Sequence, residues 1–310
     1  MSDGRHAFRE VALPFAVFTL IWSATWIVIR GQLGAVPPQW SVTYRFILAA
    51  IGMAAVARWQ GHSLRPDRGL IGAAAVLGVT QFCLNFNGVY LAERHITSGL
   101  VATLFALLLI PNSLLAWAFL GQRPARRFVV SAIVAIGGIA LLFVHELQDH
   151  RARGDQMAIG IALTLLGMIG ASSANIYQAL PAVRRHAMPV LLAWSMAMGA
   201  LADGAVALVL TGPPRFDPRP SYWLGLTYLS LFASVLAFSL YYPVVRRLGA
   251  GRAAYSSVLV PIIAMGLSTA FEGYRWTLLA ATGAALALGG LMVALGGRER
   301  GAIAEAQPAA

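Results

Sequence analysis

Hydrophobic positions along the chain gather into ten long runs separated by short polar connections. The runs are Val11–Ile29, Trp40–Val56, Leu70–Leu91, Thr97–Leu120, Phe128–Val144, Met157–Val183, Val190–Leu210, Tyr222–Val245, Ala253–Phe271 and Trp276–Gly297. A helix rises about 1.5 Å per residue and crosses hydrocarbon in roughly 20 residues, so runs of this length predict membrane-spanning helices. The connections hold nearly all the charge and many of the Pro and Gly residues, as in Val36-Pro37-Pro38 and Gly212-Pro213-Pro214. The first run contains Trp and is followed by nine more, which reads as a span rather than a cleaved signal peptide. The small, polar Ala302–Ala310 reads as a disordered tail. The pattern predicts an all-α integral membrane protein of ten spans.

Composition supports a lipid solvent. The chain has 310 residues, 58% of them hydrophobic and 11% charged, whereas soluble domains carry about 25% charged residues. The net charge is +11, and all 23 basic residues are Arg. Without Lys the chain has neither a Walker A loop nor a Schiff-base amine. The arginines sit singly or in pairs between apolar runs, with no interleaved aromatic patch, so they imply no nucleic-acid partner. They read instead as topogenic charge facing a bilayer. With the N-terminus inside, fifteen arginines fall on the cytoplasmic side, among them Arg5, Arg58, Arg68, Arg126 and Arg184. Seven fall opposite, among them Arg30, Arg94, Arg215 and Arg275, and Arg45 lies within a span. Both termini are therefore expected in the cytoplasm. Cys83 is alone, which excludes an intramolecular disulfide and a cysteine metal cluster. No metal and no cofactor is implied.

The chain also resembles itself at a period of about 150 residues. Ala106-Leu-Leu-Leu-Ile-Pro111 is followed eleven residues later by Gln122, and Val258-Leu-Val-Pro261 eleven residues later by Glu272. Ile136-Gly137-Gly138-Ile139 then matches Leu288-Gly289-Gly290-Leu291. Residues 1–150 and 151–310 thus form two halves of five spans. Five is odd, so the second half enters from the opposite side, an inverted-topology repeat of the kind secondary transporters use.

These elements resemble a known family. Leu109-Ile-Pro111, Ala118-Phe-Leu-Gly-Gln-Arg-Pro124 and the Gly137-Gly138 pair are similar to the hallmark of the drug/metabolite transporter superfamily, EamA type. Its pattern is a proline in span four, Leu-Gly-Glu-Arg/Lys-Pro, then a Gly-Gly pair. Gln122 replaces the usual acid, while the second half keeps Glu272. Trp22-Ser23-Ala24 resembles a Trp-Gly-Ser element, and Tyr44-Arg45-Phe46 matches an Arg in span two. The resemblance covers about residues 11–297. It implies ten helices around a central cavity and movement of amino acids or other metabolites across an inner membrane. It leaves the substrate open.

Polar residues inside the runs are candidate site residues, because charge in hydrocarbon costs about 3 kcal/mol or more. Arg45 and Asp203 are the charges within spans, at similar depth. They read as a mutual pair, as groups with separate partners, or as a substrate or proton site. Span three carries Gln81 and Asn85 on one face, with Asn87 and Tyr90 nearby; span six carries Asn175 and Gln178; span eight carries Ser234 and Tyr241. These form interhelical hydrogen bonds or line a cavity. Trp22 and Trp26 repeat at i, i+4 and read as packing or as an aromatic wall. Pro111 and Pro261 are expected to break the backbone ladder in matched helices. Ala281, Ala285 and Gly289 form a small-residue ridge for close packing within one subunit or between two, which leaves a homodimer open. Proton coupling stays open too, through Asp203, Glu272 or no such group.

The leading reading is a secondary transporter exporting neutral or aromatic amino acids. A membrane-embedded enzyme would need clustered His, Asp and Glu at one face, and a channel a ring-like filter. Neither pattern is found.

Overall fold

The computed structural model describes residues 11–149, 154–241, 243–244 and 256–306. Arg5, Arg9, Arg151, Arg153, Arg246, Arg247 and Arg252 lie outside these, as do residues 307–310 of the expected tail. The described residues form helices and no strands. Eight are long and apolar enough to cross a membrane. They are α1 (Leu13–Gln32), α2 (Pro38–Trp59), α3 (Arg68–Ala92), α4 (Ser98–Leu120), α5 (Arg126–Asp149), α6 (Gly154–Ala179), α7 (Met188–Thr211) and α8 (Pro220–Tyr241). Two further helices, α9 (Ser256–Phe271) and α10 (Leu278–Ala306), hold shorter apolar stretches.

Local chemistry sets the boundaries. Proline occupies the first turn of α2, α7 and α8, where a missing N–H is harmless. Asp67 caps α3, its Oδ1 accepting the Leu70 N–H at 2.7 Å. Gly121 closes α4 at φ 69°, a left-handed conformation glycine adopts without strain. The sixth apolar run was expected to continue to Val183. Leu180 is instead extended (ψ 137°) before Pro181, so α6 stops at Ala179 and a short turn, Pro181–Arg184, follows. α10 continues to Ala306, into the expected tail, where Ala302–Ala306 is rich in good helix formers.

The two matched prolines behave differently. At Pro111 the ladder of α4 breaks over Leu107 and Leu108, whose N–H groups bond only three residues back. A proline ring collides with the carbonyl of residue i−4, here Leu107. Pro261 sits inside α9 without breaking it, which corrects the expectation of matched breaks. Lacking an N–H, it cannot donate to the Ser257 carbonyl one turn back.

Packing follows a regular scheme. α2 lies along α7 and α5 along α10; α1 meets α8 and α9, and α3 meets α6 and α7. In the α5–α10 pair one glycine of each Gly-Gly sequence makes the close approach. A Cβ on Gly138 would meet the Gly283 carbonyl oxygen at 2.6 Å, and one on Gly290 the Ser131 carbonyl oxygen at 2.7 Å. Gly137 and Gly289 face open space. The packing ridge of α10 is therefore Gly283, Ala284, Ala287 and Gly290, while the expected ridge has Ala281 and Ala285 exposed.

α3 and α8 share a departure that hydropathy does not announce. Gly78–Asn85 and Tyr228–Leu236 are π-helical, with i→i−5 bonds, and begin 150 residues apart. The Ser234 hydroxyl follows the same register, donating to the Leu229 carbonyl at 2.9 Å. Such segments occur mostly as short insertions, often at functional sites.

Candidate functional site

α1–α4 and α6–α9 enclose a cavity of about 380 Å³, and none of its described lining residues comes from α5 or α10. This volume is in the range of small-molecule sites, roughly 300–1,000 Å³. Its walls are mostly apolar. Trp22 is held by its indole N–H, which donates to the Ala233 carbonyl at 3.1 Å. Its ring lies 5.1–5.5 Å from those of Phe18, Phe238 and Tyr241. Trp26 packs on Phe105 with centroids 5.3 Å apart, and the π-segment of α3 supplies Phe82 with Gln81 and Asn85.

Polar groups are few and converge. Asn85 is buried, and its Oδ1 has no hydrogen-bond partner. Asn175 of α6 donates to Asn112 Oδ1 of α4 at 3.3 Å, both lining the cavity beside Gln178. Among the described lining residues, Arg45 carries the only formal charge. Its guanidinium lies 4.4 Å from the Phe86 ring centroid, a cation–π contact. Nε and Nη2 reach Ser234 Oγ at 3.4 and 3.3 Å, and Nη1 has no partner.

The structure thus brings together Trp22, Trp26, Gln81, Asn85, Asn175, Gln178 and Tyr241 of the expected cavity residues, with Pro261 and Arg45. Tyr90 and Ser234 stand outside the lining. Tyr90 is fully buried and donates to Gln32 Oε1 at 3.1 Å, joining α3 to α1. Ser234 stands behind Arg45 as its support. Pro111 is absent from the lining, its place taken by the next residue, Asn112. Arg45 and Asp203 make no ion pair among the described residues. Asp203 is fully buried and accepts from Asn87 Nδ2 at 2.5 Å.

Sequence reasoning missed two features. Phe82 and Phe86 flank Asn85 with the i, i+4 spacing that exposed the Trp pair, a signal that was available. Glu93 was hidden, because it lies one residue past α3 and reads as a loop acid. It is fully buried, with both carboxylate oxygens unpartnered. Beside it Arg30 donates to the Glu93 backbone carbonyl and, through Nε, meets Glu272 Oε1 at 3.5 Å. Glu272 also accepts from the Ser98 N–H at 3.2 Å and the Ser98 hydroxyl at 2.5 Å. The ends of α1, α3 and α9 and the start of α4 are tied together there.

Comparison with known proteins places this architecture. The EamA-like transporter family model matches residues 11–144 and 158–296. Among similar proteins, the "Uncharacterized inner membrane transporter YedA" of Escherichia coli K12 is 28% identical over 276 residues, 86% of this chain and 85% of its own. The "Probable amino-acid metabolite efflux pump" of Salmonella typhimurium is 25% identical over 283 residues, 88% of this chain and 91% of its own. A solved crystal structure superposes with a TM-score of 0.65 at 20% identity, covering 93% of this chain and 97% of that one. That last likeness concerns the fold alone.

Proposed function

The chain belongs to the EamA-like transporter family, and from that premise we propose that it exports amino acids, neutral or aromatic, across the inner membrane by alternating access. As a membrane transporter it is not an enzyme. The observation that carries the substrate class is the cavity itself, which among the described residues has aromatic walls, a few amides and a single cation at Arg45. An aromatic amino acid fits this chemistry. Its ring meets Trp22, Trp26 and Phe105, and its carboxylate answers the one charge. The amide oxygens of Gln81, Asn85, Asn175 and Gln178 can accept from an ammonium group.

Alternating access rests on ten spans arranged as two inverted five-helix repeats. Several observations support that arrangement. The family model covers the chain in two stretches. The helix contacts are symmetric under exchange of each helix with its counterpart five places on: α1 with α9 corresponds to α6 with α4, and α3 with α7 to α8 with α2. α2–α7, α4–α9 and α5–α10 map onto themselves, as contacts across a two-fold axis do. The π-segments occupy equivalent helices. Arginine distribution supports cytoplasmic termini. In that orientation the cavity reaches toward the cytoplasm through Gln178, Tyr241 and Ser256, and the Arg30–Glu272 contact lies at the opposite face.

The test is flux in proteoliposomes with a panel of amino acids. Saturable transport of aromatic and neutral members is expected. Movement of none of them, with transport of another metabolite class, overturns the substrate assignment while leaving the family intact.

A further inference from the structure

The Glu93 cluster lies outside the cavity, and the transport reading does not use it. Its carboxyl group is fully buried, and neither oxygen finds a donor among the described residues. The charged and titratable groups around it are Glu272 after α9, Arg30 of α1, Arg45 of α2 and Tyr90 one turn back on α3. α4 contributes Ser98, which holds Glu272. Arg30 is committed to Glu272 and to the Glu93 backbone, not to the Glu93 carboxyl group. Arg45 is engaged with Ser234 and Phe86. A buried carboxylate with neither a hydrogen bond nor an ion pair does not stay ionised; it takes up a proton.

We propose that Glu93 is a proton-binding site of the transport cycle, holding a proton while Arg30 and Glu272 tie these helix ends together and releasing it to solvent at that face when they separate. The direction of release rests on the orientation proposed above. Arg45 links this site to the cavity, because it interacts electrostatically with Glu93 and also lines the cavity. A negative charge appearing at Glu93 is therefore felt by a cation that lines the cavity and can meet a substrate carboxylate. Burial first, then the neighbouring Glu272, hold the Glu93 carboxyl well above the usual carboxylate range, while Arg30 and Arg45 act in the opposite sense.

A raised native value means that the folded protein keeps a proton the unfolded chain has lost, from the ordinary glutamate value of about 4.3 up to the native one. Stability therefore falls as pH rises through that interval. Glu93→Gln copies the shape and neutrality of the protonated group, so the variant folds. Two measurements on purified protein need no substrate. The infrared spectrum of the wild type at neutral pH should contain a carboxylic-acid carbonyl band that Glu93→Gln lacks, and Glu272→Gln should make this band titrate away at lower pH. Wild-type Tm should fall toward alkaline pH more steeply than that of Glu93→Gln. An unchanged band, or equal pH slopes, overturns the site. In proteoliposomes, Glu93→Gln should lose the response to a pH gradient and keep exchange. A wild-type gradient response overturns the coupling. A protein that moves no amino acid at all fails the transport assignment instead, and the spectroscopic result stands apart from it.

Discussion

At the scale of single residues, the cavity is made by a few side chains whose removal has different consequences. Asn85 is buried with an unanswered Oδ1. Asn85→Leu should deprive a polar substrate group of its partner at about 1–3 kcal/mol, a roughly five- to 150-fold rise in apparent KM. Trp22→Ala should also weaken transport, because it removes a wall braced by Phe238 and Tyr241. Neither change introduces a charge, so membrane expression should hold. Wild-type kinetics in both variants would make these residues packing elements. Arg45 and Asp203 have separate partners, Ser234 and Asn87. Arg45→Leu and Asp203→Leu should therefore lower thermal stability additively, within about 0.5 kcal/mol; rescue in the double variant would reveal a hidden pair. Most cavity residues were legible because amides and indoles in hydrocarbon need a reason to be there. Tyr90 was misjudged because the same argument is met by one interhelical hydrogen bond, to Gln32. Glu93 was not legible, since nothing in its own segment marks an acid just past a helix end as buried.

At the scale of elements, the Gly-Gly sequences make a sharp test. A Cβ on Gly138 would run into the Ala287 backbone nitrogen, while one on Gly137 would meet nothing within 4 Å. Gly138→Val should wedge α5 from α10 at a cost of about 1–3 kcal/mol or more. Gly137→Val should be tolerated, and detergent melting curves of the two variants separate the outcomes. Hydropathy located most helix ends within a few residues, because apolar length is what a bilayer demands, but it placed the end of α10 at Gly297, short of Ala306. It could not choose which of two adjacent small-residue ridges packs inward, since both satisfy the spacing. Nor could it show the π-segments, whose extra residue leaves the apolar run unbroken.

At the scale of the molecule, the 150-residue self-similarity of the sequence implies two five-helix halves in inverted topology, the arrangement that the proposed alternating access requires. Topology is directly measurable. Reporter fusions after Arg68 and after Arg215 should report the cytoplasm and the opposite side, respectively. A same-side result would remove the inverted arrangement. The cavity needed the structure, because only packing shows that α5 and α10 stand aside while the other eight helices enclose it.

The two π-segments change what α3 and α8 are able to do. In an α-helix every rung of the hydrogen-bond ladder is committed, so twisting one half against the other breaks many rungs together. A π-segment is a dislocation in that ladder, a place where one surplus residue is stored. As in a metal, a dislocation glides. It moves along by exchanging one rung at a time, and each step turns the side chains it passes by about a quarter of a revolution or more, given 3.6 residues per turn. Gln81, Phe82 and Asn85 lie within the stretch where such a step would pass. The same step in the π-segment of α8 would carry Ala233, another lining residue, so a rearrangement of the cavity wall would need neither helix to melt.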